Sequence, residues 1–308
     1  MLGQCFKKCL KLSAIVFDLK YPSLRTFIFI FFLSANATAH TIDDFPDEQS
    51  KQVYENFLTD YNEYARVYRI NFYDYETKEN TKNAPCSFDK NPLYKYAEKC
   101  VTDLLKEGGW LIVGDSHGRD LYNSLKMIYP QQNIAMFQQS SCAPAKQEQK
   151  KGAKEICFKD LPTIINFINH NDAVQKVIFA ARFQNELGTE QFIDDVKNGL
   201  YQKDIVIFNA GPAIAPDPMS YVKQEGVKDS YLISEAATHK VQAVNEKLEK
   251  AINANVRIFD TYSVFCDVNG TCKLLNNLHP IFRDNDSHLL KEGMKLYGES
   301  IKKSKILE

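Results

Sequence analysis

Five short apolar runs separated by helical stretches predict an α/β fold, with a mostly parallel five-stranded sheet covered by helices on both faces and a helical N-terminal extension. The runs are Trp110–Val113, Ile134–Phe137, Lys176–Ala181, Asp204–Asn209 and Val256–Phe259. None alternates cleanly between apolar and polar residues, as expected of strands buried on both sides. The turn-forming and polar residues Ser116, Ser140-Ser141, Arg182 and Asn209-Ala210-Gly211 all fall at the carboxyl ends of these runs. In an open parallel sheet that is the edge where ligands bind.

Taken in order, the first 39 residues carry Lys7, Lys8, Lys11, Lys20 and Arg25 against the single acid Asp18. The apolar stretch Phe27–Leu33 follows, then small residues ending Ala37-Thr38-Ala39. This is the pattern of a secretory signal cut near Ala39, leaving His40 as the mature N-terminus, and it predicts an exported protein, periplasmic in a Gram-negative host. The long basic stretch leaves an uncleaved membrane anchor as the alternative. The formal charge of −1 hides this asymmetry, because the remainder carries −5 once the leader's +4 is removed. A nucleic-acid partner gains no support from that balance.

Residues 40–107 form the predicted extension or cap. Val53, Phe57, Tyr61 and Tyr64 recur at three to four residues, as one buried helix face requires. Asn80 to Pro92 reads as a loop. From 108 to 308 the α/β pattern takes over, with helices predicted at Leu121–Tyr129, Thr163–Asn169, Gln191–Tyr201, Ser230–Ala254 and after His288. Beyond the leader, six cysteines fall into neighbouring pairs, Cys86 with Cys100, Cys142 with Cys157 and Cys266 with Cys272. In an exported chain they read as disulfides, the middle-sized loops worth about 3 kcal/mol each. No Cys-x-x-Cys and no histidine pair at ligand spacing is present, so no metal and no cofactor is predicted.

The chemistry points to Gly114-Asp115-Ser116-His117, which follows the first apolar run and opens a helical pattern. A serine at such a turn stands clear of the sheet beside unpaired backbone N–H groups that favour an oxyanion. Far downstream, Arg283-Asp284-Asn285-Asp286-Ser287-His288-Leu289 supplies a histidine flanked by acids before a final helix. Serine is a poor nucleophile without an imidazole to take its proton, so the two segments together suggest a triad. Asp115 reads as a turn former, Asp217 between two prolines as a rigid loop near the site mouth, and His117 as a neighbour of the nucleophile. His170, His239 and His279 read as surface or packing residues.

Five segments then carry a resemblance. They are Val113–His117; Ser141-Cys142-Ala143-Pro144 with Cys157; Val177–Phe183; Val206–Pro212; and Phe259-Asp260 through Cys266 and Cys272 to Phe282-Arg283-Asp284 and His288-Leu289. In this order they resemble the SGNH/GDSL hydrolase superfamily, most closely the SGNH domain attached to integral-membrane O-acyltransferases that acetylate bacterial surface polysaccharides. The resemblance implies a three-layer, flavodoxin-like sandwich with Ser116 as nucleophile and His288 as general base. The family's acid stands three residues before the histidine, a position held here by Asn285. The Asp-x-His spacing of alginate-type acetyltransferases favours Asp286, with Asp284 as runner-up and a Ser-His dyad as a third reading. Ser141 and Arg182 stand near the family's oxyanion donors; Arg182 equally suits an anionic sugar or a surface acid. The implied function is an exported serine esterase or O-acetyltransferase acting on acyl esters of carbohydrate, with a membrane acyl-donor protein as partner if it is a transferase. The alternative is a catalytically silent glycan-binding or accessory protein of that fold.

Overall fold

Strand β1 (Gly109–Gly114) ends on a glycine because nothing larger fits there. A Cβ at Gly114 would stand 1.8 Å from the main-chain oxygen of Ala180. One at Gly118 would stand 2.9 Å from the same oxygen. These two absences of side chain let the chain turn off the sheet and run back across it. The computed structural model describes residues 40–68, 94–138, 144–145, 161–183, 186–250 and 255–308. Residues 40–308 make one compact unit.

In chain order the elements are α1 (Glu48–Glu63), α2 (Tyr94–Leu105), β1, α3 (Ser116–Ile128), β2 (Ile134–Gln138), α4 (Leu161–His170), β3 (Val174–Ala180) and α5 (Glu186–Lys197). They continue with β4 (Asp204–Phe208), α6 (Pro218–Glu225), β5 (Tyr231–Leu232), α7 (Glu235–Glu249), β6 (Val256–Phe259) and α8 (Tyr262–Phe265). The chain closes with β7 (Thr271–Cys272), β8 (Leu275–Asn276), β9 (His279–Pro280) and α9 (Lys291–Ser304). The central sheet has the order β2-β1-β3-β4-β6, with every pairing parallel. β5 with β7 and β8 with β9 form two small antiparallel ribbons.

Alternate strand residues feed two cores, as the unbroken apolar runs predict. Ile112, Met136, Ile178, Val206 and Phe208 face a layer holding Val53 and Phe57 of α1, Leu121 and Leu125 of α3, and Met294, Tyr297 and Ile301 of α9. Leu111, Phe137, Phe179 and Ile207 face Val101 of α2, Phe167 of α4, and Phe192 and Val196 of α5. The result is three layers with the sheet in the middle.

Helix boundaries depart from the sequence reading where turn chemistry intervenes. Residues 230–234 are not helical; Tyr231-Leu232 pair with Thr271-Cys272, and α7 starts only after Ser234. α5 stops at Lys197 because Gly199 turns left-handed at φ 68°, leaving Leu200 and Tyr201 outside the helix. Asp217 caps a helix rather than lining a site mouth. Its carboxylate accepts from Met219 N at 3.0 Å and Ser220 N at 3.2 Å, with Pro218 in the first turn.

Residues 40–68 lie against the body through paired polar groups. His279 Nδ1 meets Asp60 Oδ2 at 2.9 Å, Lys291 meets Glu63 at 2.9 Å, and Asn56 donates to Leu278 O at 3.0 Å. Cys266 and Cys272 are disulfide-bonded, and so is Cys100. Cys86, Cys142 and Cys157 lie outside the described residues. Among the described residues no helix is long and apolar enough to cross a membrane.

Candidate active site

The turn after β1 is built by Asp115. One oxygen of its buried carboxylate caps α3 by accepting from His117 N at 2.8 Å, and the other accepts from Arg182 N at 3.0 Å. Asp115 thus ties the end of β1 to the end of β3 while setting Ser116 as the first residue of α3. Ser116 is half-buried, and among the described residues its hydroxyl has no hydrogen-bond partner. The first-turn N–H groups of a helix lack intrahelical acceptors and carry partial positive charge; Asp115 takes that of His117, and those it leaves uncapped favour an anion beside this hydroxyl.

His288 reaches the same helix from the far end of the chain. The 283–288 loop is pinched shut by Arg283 N donating to His288 O at 2.7 Å and by the Phe282–Leu289 bridge. Inside it Ser287 adopts φ 65°, a conformation unfavourable for a residue with a Cβ. The conformation is held because Ser287 Oγ donates to Pro212 O and accepts from Ile214 N at 3.3 Å. Asp284 accepts from His288 N at 3.1 Å and is itself gripped by Arg283, Nε to Oδ2 at 2.8 Å. The Arg283 guanidinium lies 4.6 Å from the centre of the Tyr64 ring, which connects the N-terminal segment to this loop.

The imidazole meets an acid, but not one from its own loop. His288 Nδ1 lies 2.9 Å from Asp120 Oδ2, which also accepts from Leu289 N at 3.1 Å. Asp120 is 2% exposed and its other oxygen, Oδ1, is buried without a hydrogen-bond partner. Burial works against the charge of Asp120, yet the charge of His288 and its hydrogen bond hold the carboxyl below its usual pKa. Burial likewise opposes charging His288, but Asp120 outweighs it and raises the imidazole above its ordinary value. The two directions agree and describe one coupled, buried pair.

The carboxylate on the imidazole is therefore neither of the two that the sequence reading put forward. Asp286 sits at the tip of the loop, half exposed, and pairs with the Arg182 guanidinium. Asp284 holds the backbone of His288 rather than its ring. Arg182 pairs one guanidinium nitrogen with Asp286 and gives its backbone N–H to Asp115. Ser141 lies outside the described residues. Asn209, at the end of β4, is a structural tie: its side chain accepts from Thr261 N at 2.7 Å and donates to Asp260 at 3.2 Å.

Asp120 escaped sequence reading because it lies one helical turn after Ser116, in a stretch with no motif. The signal that could have found it is a polar stripe on a buried helix face. Asp120, Asn123 and Ser124 are all buried beside Leu121 and Leu125, and a buried charge demands a partner.

His117 completes the cluster. Its ring stacks on that of His288, centroids 4.6 Å apart and planes inclined at 25°. Burial, then the charge of His288, push its pKa below the ordinary value. One ligand-capable atom each from His117, Asp120 and His288 lie within 4.8 Å of one another. Sequence spacing showed no such grouping, because His117 and His288 are remote along the chain. Elsewhere, His170 Nδ1 meets Asn166 O at 2.8 Å in the last turn of α4, and His239 is exposed on α7.

A parallel three-layer sheet with a serine opening the helix after β1, and a histidine returning before the last helix, defines an SGNH-type hydrolase fold. The chain belongs to the family of SGNH domains fused to AT3 domains, whose pattern it matches over residues 85–303. No curated protein matches it. Among solved structures it is similar to the periplasmic domain of a lipopolysaccharide acetyltransferase from Salmonella ser. Paratyphi A. The identity there is 14%, over 83% of this chain and 97% of that one, with a TM-score of 0.58. It is also similar to a carbohydrate acetylesterase family member from Sinorhizobium meliloti, at 11% identity over 65% of this chain and 98% of that one, TM-score 0.38. The C-terminal catalytic domain of peptidoglycan O-acetyltransferase A from Streptococcus pneumoniae matches at 16% over 64% of this chain and 91% of that one, TM-score 0.34.

Proposed function

We propose that the protein is an exported serine enzyme that transfers acyl groups, acetyl above all, from or to carbohydrate through an acyl-Ser116 intermediate. The observation that carries this is the buried Asp120–His288 pair docked on the helix whose first residue is Ser116. With Nδ1 bound to Asp120, His288 keeps Nε2 as the proton acceptor. Ser116 Oγ attacks the ester carbonyl as Nε2 takes its proton, and the carbonyl oxygen becomes an oxyanion facing the first-turn N–H groups of α3. Collapse expels the alcohol, protonated by His288, and leaves the acyl-serine. Water or a sugar hydroxyl then enters by the reverse route, giving esterase or transferase. Membership of a family whose domains are fused to AT3 domains supports a membrane acyl-donor partner for the transfer direction. The leader-like first 39 residues, together with the fold shared with a periplasmic acetyltransferase domain, support export.

The test is acetate release from a chromogenic acetyl ester and from acetylated glycans, with and without a sugar acceptor, for wild type and Ser116→Ala. The variant is expected to lose the rate by about 10⁴-fold or more. Equal rates in the two proteins contradict the assignment. Glycan binding without turnover by wild type would instead favour the silent, accessory reading.

The pH profile follows from the coupled pair. The base works only when His288 is neutral, and Asp120 raises its pKa. The acid limb of kcat/KM is therefore expected to fall at a pH above about 6.5, the free imidazole value. A limb below that value would mean that Asp120 does not hold the ring.

A further inference from the structure

We propose that His117, Asp120 and His288 form a binding site for a borderline divalent transition ion, Zn²⁺ in particular, and that its occupancy reversibly inhibits the enzyme. The inhibitory consequence rests on the proposed triad; the site itself does not. Three observations carry it. One nitrogen from each imidazole and one Asp120 oxygen already lie within 4.8 Å of one another. Asp120 Oδ1 is buried with no hydrogen-bond partner, an unsatisfied anionic atom within the cluster. A cavity of about 30 Å³ borders both His117 and Asp120, with Ala180, Thr261 and Tyr297 among its walls, and gives the side chains room to adjust.

The donor set selects the ion. Two imidazoles and one carboxylate suit Zn²⁺, whereas Mg²⁺ and Ca²⁺ prefer all-oxygen shells. Tetrahedral zinc with bonds of about 2.0–2.1 Å sets its ligand atoms about 3.3 Å apart, so the cluster must close by about 1.5 Å at most. His117 closes the gap by rotating out of its stack on His288, whose ring plane it meets at only 25°; among the described residues its ring makes no hydrogen bond. Three protein ligands leave a fourth position for water. Coordination through His288 Nδ1 displaces that nitrogen's proton, breaks its hydrogen bond to Asp120 and leaves the neutral ring protonated at Nε2 instead. Nε2 then has no lone pair with which to take the serine proton, and the rate falls as occupancy rises.

The experiment uses the full chain and two readouts. Acetyl-ester turnover is titrated with ZnCl₂, with MgCl₂ and CaCl₂ as controls and EDTA for reversal, in wild type, His117→Phe and His117→Asn, each normalised to its own metal-free rate. Wild type is expected to be inhibited by Zn²⁺ alone and restored by EDTA. Both variants should need about 100-fold more Zn²⁺ or greater, beyond the effect of losing only a ligand's supporting partner. Independently, Co²⁺ added to the Ser116→Ala protein should give the intense visible absorption of a tetrahedral site, lost when His117→Phe is added. Equal zinc sensitivity in wild type and both variants, or no tetrahedral cobalt spectrum in the Ser116→Ala protein, overturns the proposal. A cobalt spectrum alongside a wild type without turnover sustains the site and removes the enzymatic reading instead.

Discussion

Replacing Asp120 by asparagine is expected to lower kcat for acetyl-ester turnover by about 10⁴-fold, the scale seen when a triad acid loses its charge but keeps its shape. Asp286→Asn should change kcat by less than about 5-fold, because it breaks only a half-exposed ion pair with Arg182, and pairs open to solvent are weak. The contrast follows from the two environments. Asp120 is buried and accepts from both the His288 ring and Leu289 N. An asparagine there either turns its amide nitrogen toward Nδ1, forcing the wrong tautomer, or keeps its oxygen there without the charge that stabilises the imidazolium. The acid limb of the pH profile should also move down, since the raised pKa of His288 depends on this carboxylate. Stability should change with pH in the matching sense. Asp120 has a folded-state pKa below its unfolded value, so its contribution is present above the unfolded value and disappears as pH falls through the folded one. The raised pKa of His288 acts oppositely: its contribution is full below the unfolded imidazole value and is lost as pH rises through the folded one. Kinetics of the two variants with thermal melts as folding controls decide the matter. A larger loss in Asp286→Asn would move the role of acid to the loop.

Of the described glycines, Gly114 should tolerate an added methyl least. The added Cβ would sit 1.8 Å from the main-chain oxygen of Ala180, and no rotamer relieves a clash between two central strands. Overpacking of a tight core costs about 1–3 kcal/mol even when side chains can yield. Here backbone must move, so a loss of about 3 kcal/mol or more is expected, lowering Tm by about 6–12 °C for a chain of this size. Gly199→Ala is the control. Gly199 has φ 68° with nothing within 4 Å, so only the conformational cost of about 1 kcal/mol applies. Similar Tm values for the two variants would show that β1 and β3 are not in such close contact.

The sheet was legible in the sequence because both of its faces are buried, which compresses each strand into an apolar run needing no partner to be recognised. The first turn of α3 was less so: Ser116-His117-Gly118-Arg119-Asp120 is polar, and only the structure shows that Asp120 and Gly118 point inward. Ser116 and His288 stood out in short motifs. The carboxylate that meets the imidazole did not, because nothing in local spacing distinguishes Asp120 from a solvated helix residue until His288 arrives from 168 positions away. Proximity in sequence favoured Asp286, but two residues back along a tight loop places that side chain at the exposed tip, where Arg182 meets it. Ser287 was equally hidden. Its left-handed backbone and its bonds to Pro212 and Ile214 make sense only once the 212–214 segment is seen beside it.

Active-site sulfonylation measures most directly whether Ser116 is made nucleophilic by an imidazole that Asp120 holds. Wild type, Ser116→Ala, His288→Ala and Asp120→Asn are treated with a sulfonyl fluoride, and modified peptides are located by mass spectrometry over time and pH. The expected result is one adduct, on the peptide bearing Ser116, absent from Ser116→Ala. It should form far more slowly in the other two variants and faster in wild type as pH rises through the raised pKa of His288. Folded wild type that leaves Ser116 unmodified, or equal sulfonylation rates with and without His288, would contradict it.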